Sequence, residues 1–356
     1  MTDTPASASP GFLELDWQGQ PQRWPLAWLR DCCPCPQCRH PSGQRLQMEV
    51  FPELSARGEL LAGDRLQVSW SDGHESTYEL SGLGRFAEPP PAPVLWNAES
   101  LELPEIDYHE LLDHTSVRRE GLTRFFESGL LLLKNAPTAP GTLLEFVARL
   151  GGFVRETNYG KYYEVQVAKN VSNLANTALP LEAHTDNPYR NPVPTVQCLH
   201  CLINETDGGD STLVDGFHAA EDLRRTAPEH FRELTQRSVP FQYLDESCDL
   251  RNTVPLIDLA PEGGVQAVHY NRRSMRPQWM PPHQLESFYA ALSSLRERLH
   301  APANTFTFRL TPGDLLMFSN RRILHGRTAF SHSGARHLQG CYPDVDGLLS
   351  SWRRAA

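Results

Sequence analysis

Long apolar runs are missing from this chain. A membrane-spanning helix needs about 18 consecutive apolar residues, and the longest apolar stretch here, Gly129 to Leu133, is the size of one strand. The opening residues, MTDTPASASPG, lack the basic start and apolar centre of a secretory signal. The expectation is a soluble, cytoplasmic protein with no membrane partner. An excess of positive charge is missing too. Lys and Arg number 33 against 43 Asp and Glu, a formal net charge of −10. A phosphate backbone calls for a basic footprint, so a nucleic-acid partner is not expected. At 40% hydrophobic and 21% charged residues, the composition is that of an ordinary globular protein.

A secreted disulfide framework is also absent, because the eight cysteines are neither spread evenly nor set in a short chain. Cys32, Cys33, Cys35 and Cys38 crowd together, while Cys198, Cys201, Cys248 and Cys341 are scattered. Clustered thiols read as ligands of a structural metal, and the scattered ones as small buried hydrophobes. Cys33-x-Cys35-x-x-Cys38 supplies three soft ligands, one short of tetrahedral zinc. The residues themselves leave the fourth open between His74, His40 and Cys32.

The pattern of elements suggests two units. Residues 1–10 read as a disordered tail and 11–88 as a small β-rich unit. Phe12 to Trp17 and Leu66 to Trp70 alternate, and Ser71-Asp72-Gly73-His74 is a hairpin turn before Ser76 to Leu80. The proline run from Pro89 to Pro93 marks a linker over 89–100. In 101–356, helices are expected at Tyr108 to Asp113, Leu122 to Glu127, Thr142 to Leu150 (capped by Thr142), Ala219 to Thr226 and Pro282 to Leu299. Short strands dominate the rest: Gly129 to Leu133, Val193 to Leu202, Ser211 to Val214, Val265 to Tyr270, Thr305 to Leu310, Leu315 to Phe318 and His337 to Tyr342. The expected class is mainly β with α cover, a sandwich or jelly roll.

His184-Thr185-Asp186 sets an imidazole and a carboxylate two residues apart, which an extended backbone turns to one side. With a distant third ligand they would form the two-His, one-carboxylate face of non-haem iron oxygenases. Among fourteen histidines such a triplet arises by chance nearly as often as not, so context must carry the reading. The turn Pro312-Gly313-Asp314 leads into a strand, His325 follows in LHGR, and Arg336 begins a later strand.

HTDNPYR around Asp186, GGDSTLVDGF from Gly208, TPGDLLMFSNRRILHGR from Thr311 and ARHLQGCYPD from Ala335 together resemble the γ-butyrobetaine hydroxylase group of the TauD/TfdA dioxygenases. The resemblance covers nearly the whole chain and implies a double-stranded β-helix catalytic domain behind a small zinc-binding domain. It implies that His184, Asp186 and His325 bind Fe(II), and that Arg336 grips the distal carboxylate of 2-oxoglutarate through paired hydrogen bonds. It implies that O2 and 2-oxoglutarate are consumed, that succinate and CO2 are released, and that an unactivated C–H bond is hydroxylated. The segment WLRDCCPCPQC (Trp28 to Cys38) matches the family's zinc motif, which implies His74 as the fourth zinc ligand beside Cys33, Cys35 and Cys38.

The implied substrate is a small trimethylammonium compound. Tyr159, Tyr163 and Tyr342 match positions that surround the cation, whose attraction to aromatic faces is electrostatic. Asn176 and Asn187 stand where some relatives carry cage tyrosines, with Tyr189 as a replacement for the second. Asn173 and the Tyr270-Asn271-Arg272-Arg273 segment match residues that meet the substrate's anionic end, Asn271 and Arg272 in particular. The two arginines also suit a phosphonate. The best single expectation is γ-butyrobetaine hydroxylated to L-carnitine, with 2-(trimethylamino)ethylphosphonate as the alternative. A homodimer is implied. Two readings from other classes compete: a zinc-stabilised, non-catalytic interaction protein, and a cupin-like metal hydrolase or isomerase that has no use for Arg336.

Overall fold

A computed structural model describes residues 5–9, 11–46, 54–83, 89–166, 179–331 and 334–355. The chain forms two units, Met1–Pro89 and Pro90–Ala356, with the boundary inside the proline run.

The first unit contains β1 (Pro5–Ser9), β2 (Phe12–Trp17), β3 (Gln20–Pro25), α1 (Leu26–Asp31), β4 (Ala56–Leu61), β5 (Arg65–Trp70) and β6 (Glu75–Glu79). They make one six-stranded sheet ordered β3-β2-β1-β4-β5-β6. Alternation in β5 buries Leu66, Val68 and Trp70 against Leu26 and Leu29 of α1. Tyr78 locks the helix to the sheet by donating its hydroxyl to the Leu29 carbonyl at 2.8 Å. The expectation of a disordered tail over 1–10 is corrected at Pro5–Ser9. This segment pairs with both β2 and β4, closing what would otherwise be two open sheet edges. Its small, polar sequence carries no alternation by which to find it.

In the second unit come β7 (Glu105–Asp107), α2 (Tyr108–Asp113), α3 (Thr115–Ser128), β8 (Leu130–Lys134), α4 (Thr142–Arg149), β9 (Tyr163–Gln166), β10 (Leu181–His184), β11 (Val196–Asn204) and β12 (Ser211–Asp215). There follow α5 (Gly216–Thr226), α6 (Pro228–Gln236), β13 (Ser238–Leu244), β14 (Asp249–Pro255), β15 (Ile257–Leu259), β16 (Val265–Val268), α7 (Pro282–Leu299), β17 (Phe306–Phe308), β18 (Leu315–Ser319), β19 (Ile323–Arg327), β20 (Arg336–Cys341) and α8 (Val345–Arg354). A six-stranded sheet ordered β7-β8-β18-β11-β20-β9 accompanies a four-stranded one ordered β10-β19-β12-β17. Leu130, Leu132, Leu316, Phe318 and Leu338 of the large sheet pack with Leu213 and Ile323 of the small one. The other face of the large sheet is covered by α2, α3, α4 and α8 through Leu111, Phe125, Phe146 and Trp352. This is why the Leu130–Leu133 run is apolar throughout: both of its faces are buried.

Thr142 is the first residue of α4 and not its cap; Gly141 holds the cap position with φ of 90°. Segment 89–100 is more than a linker, because Trp96 is buried in the sandwich core. Its backbone N–H donates to Asp215 at 3.1 Å. Asp215 in turn forms a two-pronged ion pair with Arg322, at 3.0 and 2.7 Å, which ties the end of β12 to the start of β19. Among the described residues, no helix is long and apolar enough to cross a membrane.

Candidate active site and metal centres

β10 and β19 run antiparallel with His184 opposite His325. Opposed residues project from the same face, and the two imidazole rings lie 4.4 Å apart. The chain leaves β10 at His184, and Asp186 turns back onto the pair. His184 Nε2 is 3.3 Å from one Asp186 carboxylate oxygen, and His325 Nε2 is 3.9 Å from the other. Donors about 2.1 Å from one ion and at right angles stand about 3 Å apart, so the cluster is set slightly wide of a three-ligand face. All ligand atoms lie within 4.8 Å of one another.

The surrounding chain fixes these atoms. His184 Nδ1–H donates to the Glu182 carbonyl at 2.8 Å, which leaves the Nε2 lone pair for a metal. Thr185, between the ligands, is fully buried and exchanges hydrogen bonds with Tyr270: Thr185 N–H donates to the Tyr270 carbonyl at 2.8 Å, and Tyr270 N–H to Thr185 Oγ1 at 3.0 Å. Asn320, also fully buried, grips Asp186 itself. Its Oδ1 accepts the Asp186 N–H at 2.7 Å, and its Nδ2 donates to the carbonyls of Asp186 and Pro194 at 3.0 and 2.9 Å. Between His325 and Arg327, a Cβ on Gly326 would stand 2.5 Å from the Leu181 carbonyl oxygen, so only glycine lets β10 and β19 approach.

Burial opposes charge on Asp186, but its contacts with His184, His325 and the Tyr342 hydroxyl hold the carboxyl well below its usual range. Burial, with His184 and Arg273 adding to it, pushes His325 down to about 3. An anionic aspartate and a neutral imidazole are the protonation states a divalent ion needs, so the donor set fits iron(II). A ferrous ion bound there would supply the redox chemistry with O2 and the keto acid, and His184, Asp186 and His325 would hold it.

Arg336 begins β20, nearly buried, with its guanidinium 5.4 Å from the centre of the Phe330 ring. Arg327 reaches the same ring at 4.8 Å. Burial, together with the nearby Arg336 and Arg273 charges, lowers Arg327 to about 10. Paired guanidinium N–H donors match the geometry of a carboxylate. Arg327 was not singled out from sequence, although it follows His325 by two residues on one strand and so shares its face.

The tyrosines form two groups. The rings of Tyr163 and Tyr342 lie with their centres 5.3 Å apart and tilted by 33°, and Tyr342 donates its hydroxyl to Asp186 at 2.8 Å. Gln197 donates to the Tyr163 hydroxyl at 2.6 Å. Tyr159 and Tyr189 belong to a second group built around Tyr243 of β13, which stacks on Tyr189 at 5.2 Å and meets Tyr159 edge-on at 6.0 Å. Tyr189 donates to Asn187 Oδ1 at 2.5 Å. Tyr243 carried no signal in sequence, since only the β13–β14 hairpin brings it there. Asn271 spends its amide on structure: Nδ2 donates to the Thr185 carbonyl at 3.1 Å, and Oδ1 accepts the Arg273 N–H at 3.2 Å. Arg272 points elsewhere, against the Met275 sulfur at 3.0 Å, and lines a cleft with Arg276 and Phe288. Of the two arginines, Arg273 is the one whose charge reaches His325 and Arg327. Asn173 and Asn176 lie outside the described residues.

In the first unit, the sulfurs of Cys33, Cys35 and Cys38 stand 3.3, 3.5 and 3.6 Å from His74 Nε2. Tetrahedral zinc with ordinary Zn–S and Zn–N bonds separates such donors by about 3.6 Å. The hairpin turn between β5 and β6 delivers His74. Of the other candidates, His40 is engaged with Ser42 at 2.9 Å, and Cys32 is outside the cluster. Four protein ligands leave no open position, so the set suits a structural ion.

A family described as taurine catabolism dioxygenase TauD, TfdA family, matches residues 87–342, and one described as γ-butyrobetaine hydroxylase-like, N-terminal, matches residues 6–83. A γ-butyrobetaine dioxygenase from a Pseudomonas species is 36% identical over 91% of this chain and 88% of its own. The mitochondrial trimethyllysine dioxygenase of Rattus norvegicus is 30% identical over 96% of this chain and 85% of its own. In fold, a taurine dioxygenase crystal structure from Burkholderia xenovorans superposes with a TM-score of 0.52 at 18% identity, covering 72% of this chain and 93% of that one. The paired sheets, the two-histidine, one-aspartate cluster and these matches lead to one conclusion: the chain belongs to the TauD/TfdA family of iron(II)- and 2-oxoglutarate-dependent dioxygenases, with the N-terminal domain of its γ-butyrobetaine hydroxylase-like branch.

Proposed function

We propose that this dioxygenase hydroxylates a small trimethylammonium compound with an anionic end, γ-butyrobetaine being the first candidate and L-carnitine its product. The observation that carries the reading is the Tyr163–Tyr342 pair, whose rings stand beside Asp186. Aromatic faces attract a quaternary ammonium without hydrogen bonds, which it cannot make, and each desolvated face contributes up to about 2 kcal/mol. A cation held there puts the carbons of its chain against the iron face. In this reading His184, Asp186 and His325 hold the iron, and Arg336, with Arg327 beside it, takes the distal carboxylate of 2-oxoglutarate. Tyr159 completes the cation pocket, with Tyr189 behind it, while Asn173 and Arg273 meet the anionic end. Asn271 and Arg272, expected at that end, act at most indirectly: one holds the Thr185 loop and the other faces Met275. Cys33, Cys35, Cys38 and His74 hold zinc. The enzyme works in the cytoplasm as a homodimer, which light scattering on the eluted protein checks.

The charge of Arg273, which reaches His325, favours a second reading, in which the anionic end is a phosphonate, as in 2-(trimethylamino)ethylphosphonate. The test is a panel of trimethylammonium carboxylates, trimethyllysine and the phosphonate, followed by O2 uptake, succinate release and mass of the product. γ-Butyrobetaine gaining one oxygen atom with one succinate released supports the first reading. Coupled turnover of the phosphonate alone selects the second. Succinate release that no trimethylammonium compound stimulates contradicts both.

A further inference from the structure

The zinc reading leaves a charge unbalanced. Three thiolates against one dication leave a net negative charge, and two of the sulfurs, Cys33 and Cys38, belong to buried residues. Burying an uncompensated charge costs several kcal/mol. The compensating charge is present in the last turn of α1. Arg30 is only 3% exposed. Its Nη1 donates to Cys38 Sγ at 3.1 Å, and its Nη2 to Asp72 Oδ2 at the longer distance of 3.4 Å. Arginine is rarely buried without an anion. Asp72 is about a third exposed, so solvent screens it, and the sulfur is the nearer acceptor. A second donor acts on the other buried sulfur: Ser76 Oγ donates to Cys33 Sγ at 3.1 Å and is itself held by Trp70 Nε1 at 2.9 Å.

We propose that Arg30 is the counter-cation of the zinc centre, neutralising the tri-thiolate site and setting how tightly it keeps its ion. The inference rests on zinc binding at Cys33, Cys35, Cys38 and His74. Asp72 has an opposing part. Its Oδ1 accepts the His74 N–H at 3.0 Å and so shapes the hairpin tip, while its charge offsets that of Arg30.

That opposition separates an electrostatic role from a merely structural one. Full-length protein is purified with its zinc, its metal content is measured, and release to a chromogenic chelator is timed for wild type, Arg30→Gln and Asp72→Asn. Arg30→Gln should release zinc about 10- to 100-fold faster, the range for residues that support metal ligands. Asp72→Asn keeps an oxygen for the His74 N–H but sets an NH2 where Oδ2 accepts from Arg30, so it removes the Asp72 charge and its bond to Arg30 together. The Arg30 charge then acts on the sulfurs without opposition from Asp72, and release should be no faster than wild type. Wild-type release from Arg30→Gln, or acceleration in both variants alike, overturns the proposal. Should Arg30→Gln not fold, Arg30→Lys decides. It keeps the charge, and release within about threefold of wild type supports the role, whereas about tenfold faster release contradicts it. Wild-type protein with no zinc refutes the zinc reading itself, and the inference with it.

Discussion

Asn320 is not one of the clustered metal-ligand residues, yet Asp186 depends on it. Replacing it with leucine keeps the approximate volume and removes three hydrogen bonds, to the Asp186 N–H and to the carbonyls of Asp186 and Pro194. Each polar group left unpaired in a buried place costs roughly 1–3 kcal/mol. Asp186 has 17% of its side chain exposed, so water can reach part of this segment and the lower half of that range applies. The sum over the three groups is a loss of about 3–6 kcal/mol, large for one substitution. Iron should suffer separately, because the Asp186 backbone is no longer held: affinity should fall about 10- to 100-fold, as it does when groups behind metal ligands are removed. Urea unfolding of the metal-free protein gives the first quantity and anaerobic titration with ferrous iron the second. If Asn320→Leu kept iron affinity within about twofold and stability within about 1 kcal/mol, the claim that this amide positions the aspartate would be wrong.

Other consequences follow from the same geometry. Gly326→Ala brings a Cβ to 2.5 Å from the Leu181 carbonyl oxygen and 2.8 Å from Thr212 Oγ1, so β10 must separate from β19; iron content should drop sharply while far-UV circular dichroism barely changes. Arg336→Ala should raise KM for 2-oxoglutarate about 10- to 150-fold, the equivalent of a charged hydrogen-bonded pair at about 1.5–3 kcal/mol, with iron content unchanged; a normal KM would remove Arg336 from the keto-acid site. Arg322→Leu leaves Asp215 charged and buried without its partner, and chemical denaturation should show a loss of about 3–5 kcal/mol.

Local spacing made part of the metal sites legible in the sequence: His184 and Asp186 on one short extended segment, and the three cysteines on one loop. His325 and His74 lie far along the chain from their partners, and only the family resemblance singled them out; the fold brings each to its cluster. The sandwich was legible from its short strands, and Leu130–Leu133 from its length. What could not be read depends on contacts between distant segments. That the charge of Arg273 and not that of Arg272 reaches His325 cannot be read from two consecutive arginines, because they stand in a tight turn at Asn271–Ser274, where Ser274 N–H donates to the Asn271 carbonyl at 3.2 Å. Asn271 matched a substrate contact by position, but its amide is engaged with Thr185 and with the Arg273 N–H. Tyr243 and Asn320 have no local signature, since a tyrosine in a hairpin and an asparagine in a turn are ordinary until their partners are known. Arg327 is different: period-two alternation from His325 already put it on the same face, and the signal was there to use.

Everything proposed for this enzyme requires that His184, Asp186 and His325 hold one iron that turns over the keto acid. Anaerobic loading with ferrous iron, followed by admission of O2 with 2-oxoglutarate, measures both at once. The account predicts one iron per chain and iron-dependent succinate release in wild type, and neither in an Asp186→Ala, His325→Ala double variant that remains folded. A double variant that still bound one iron and still released succinate would contradict it.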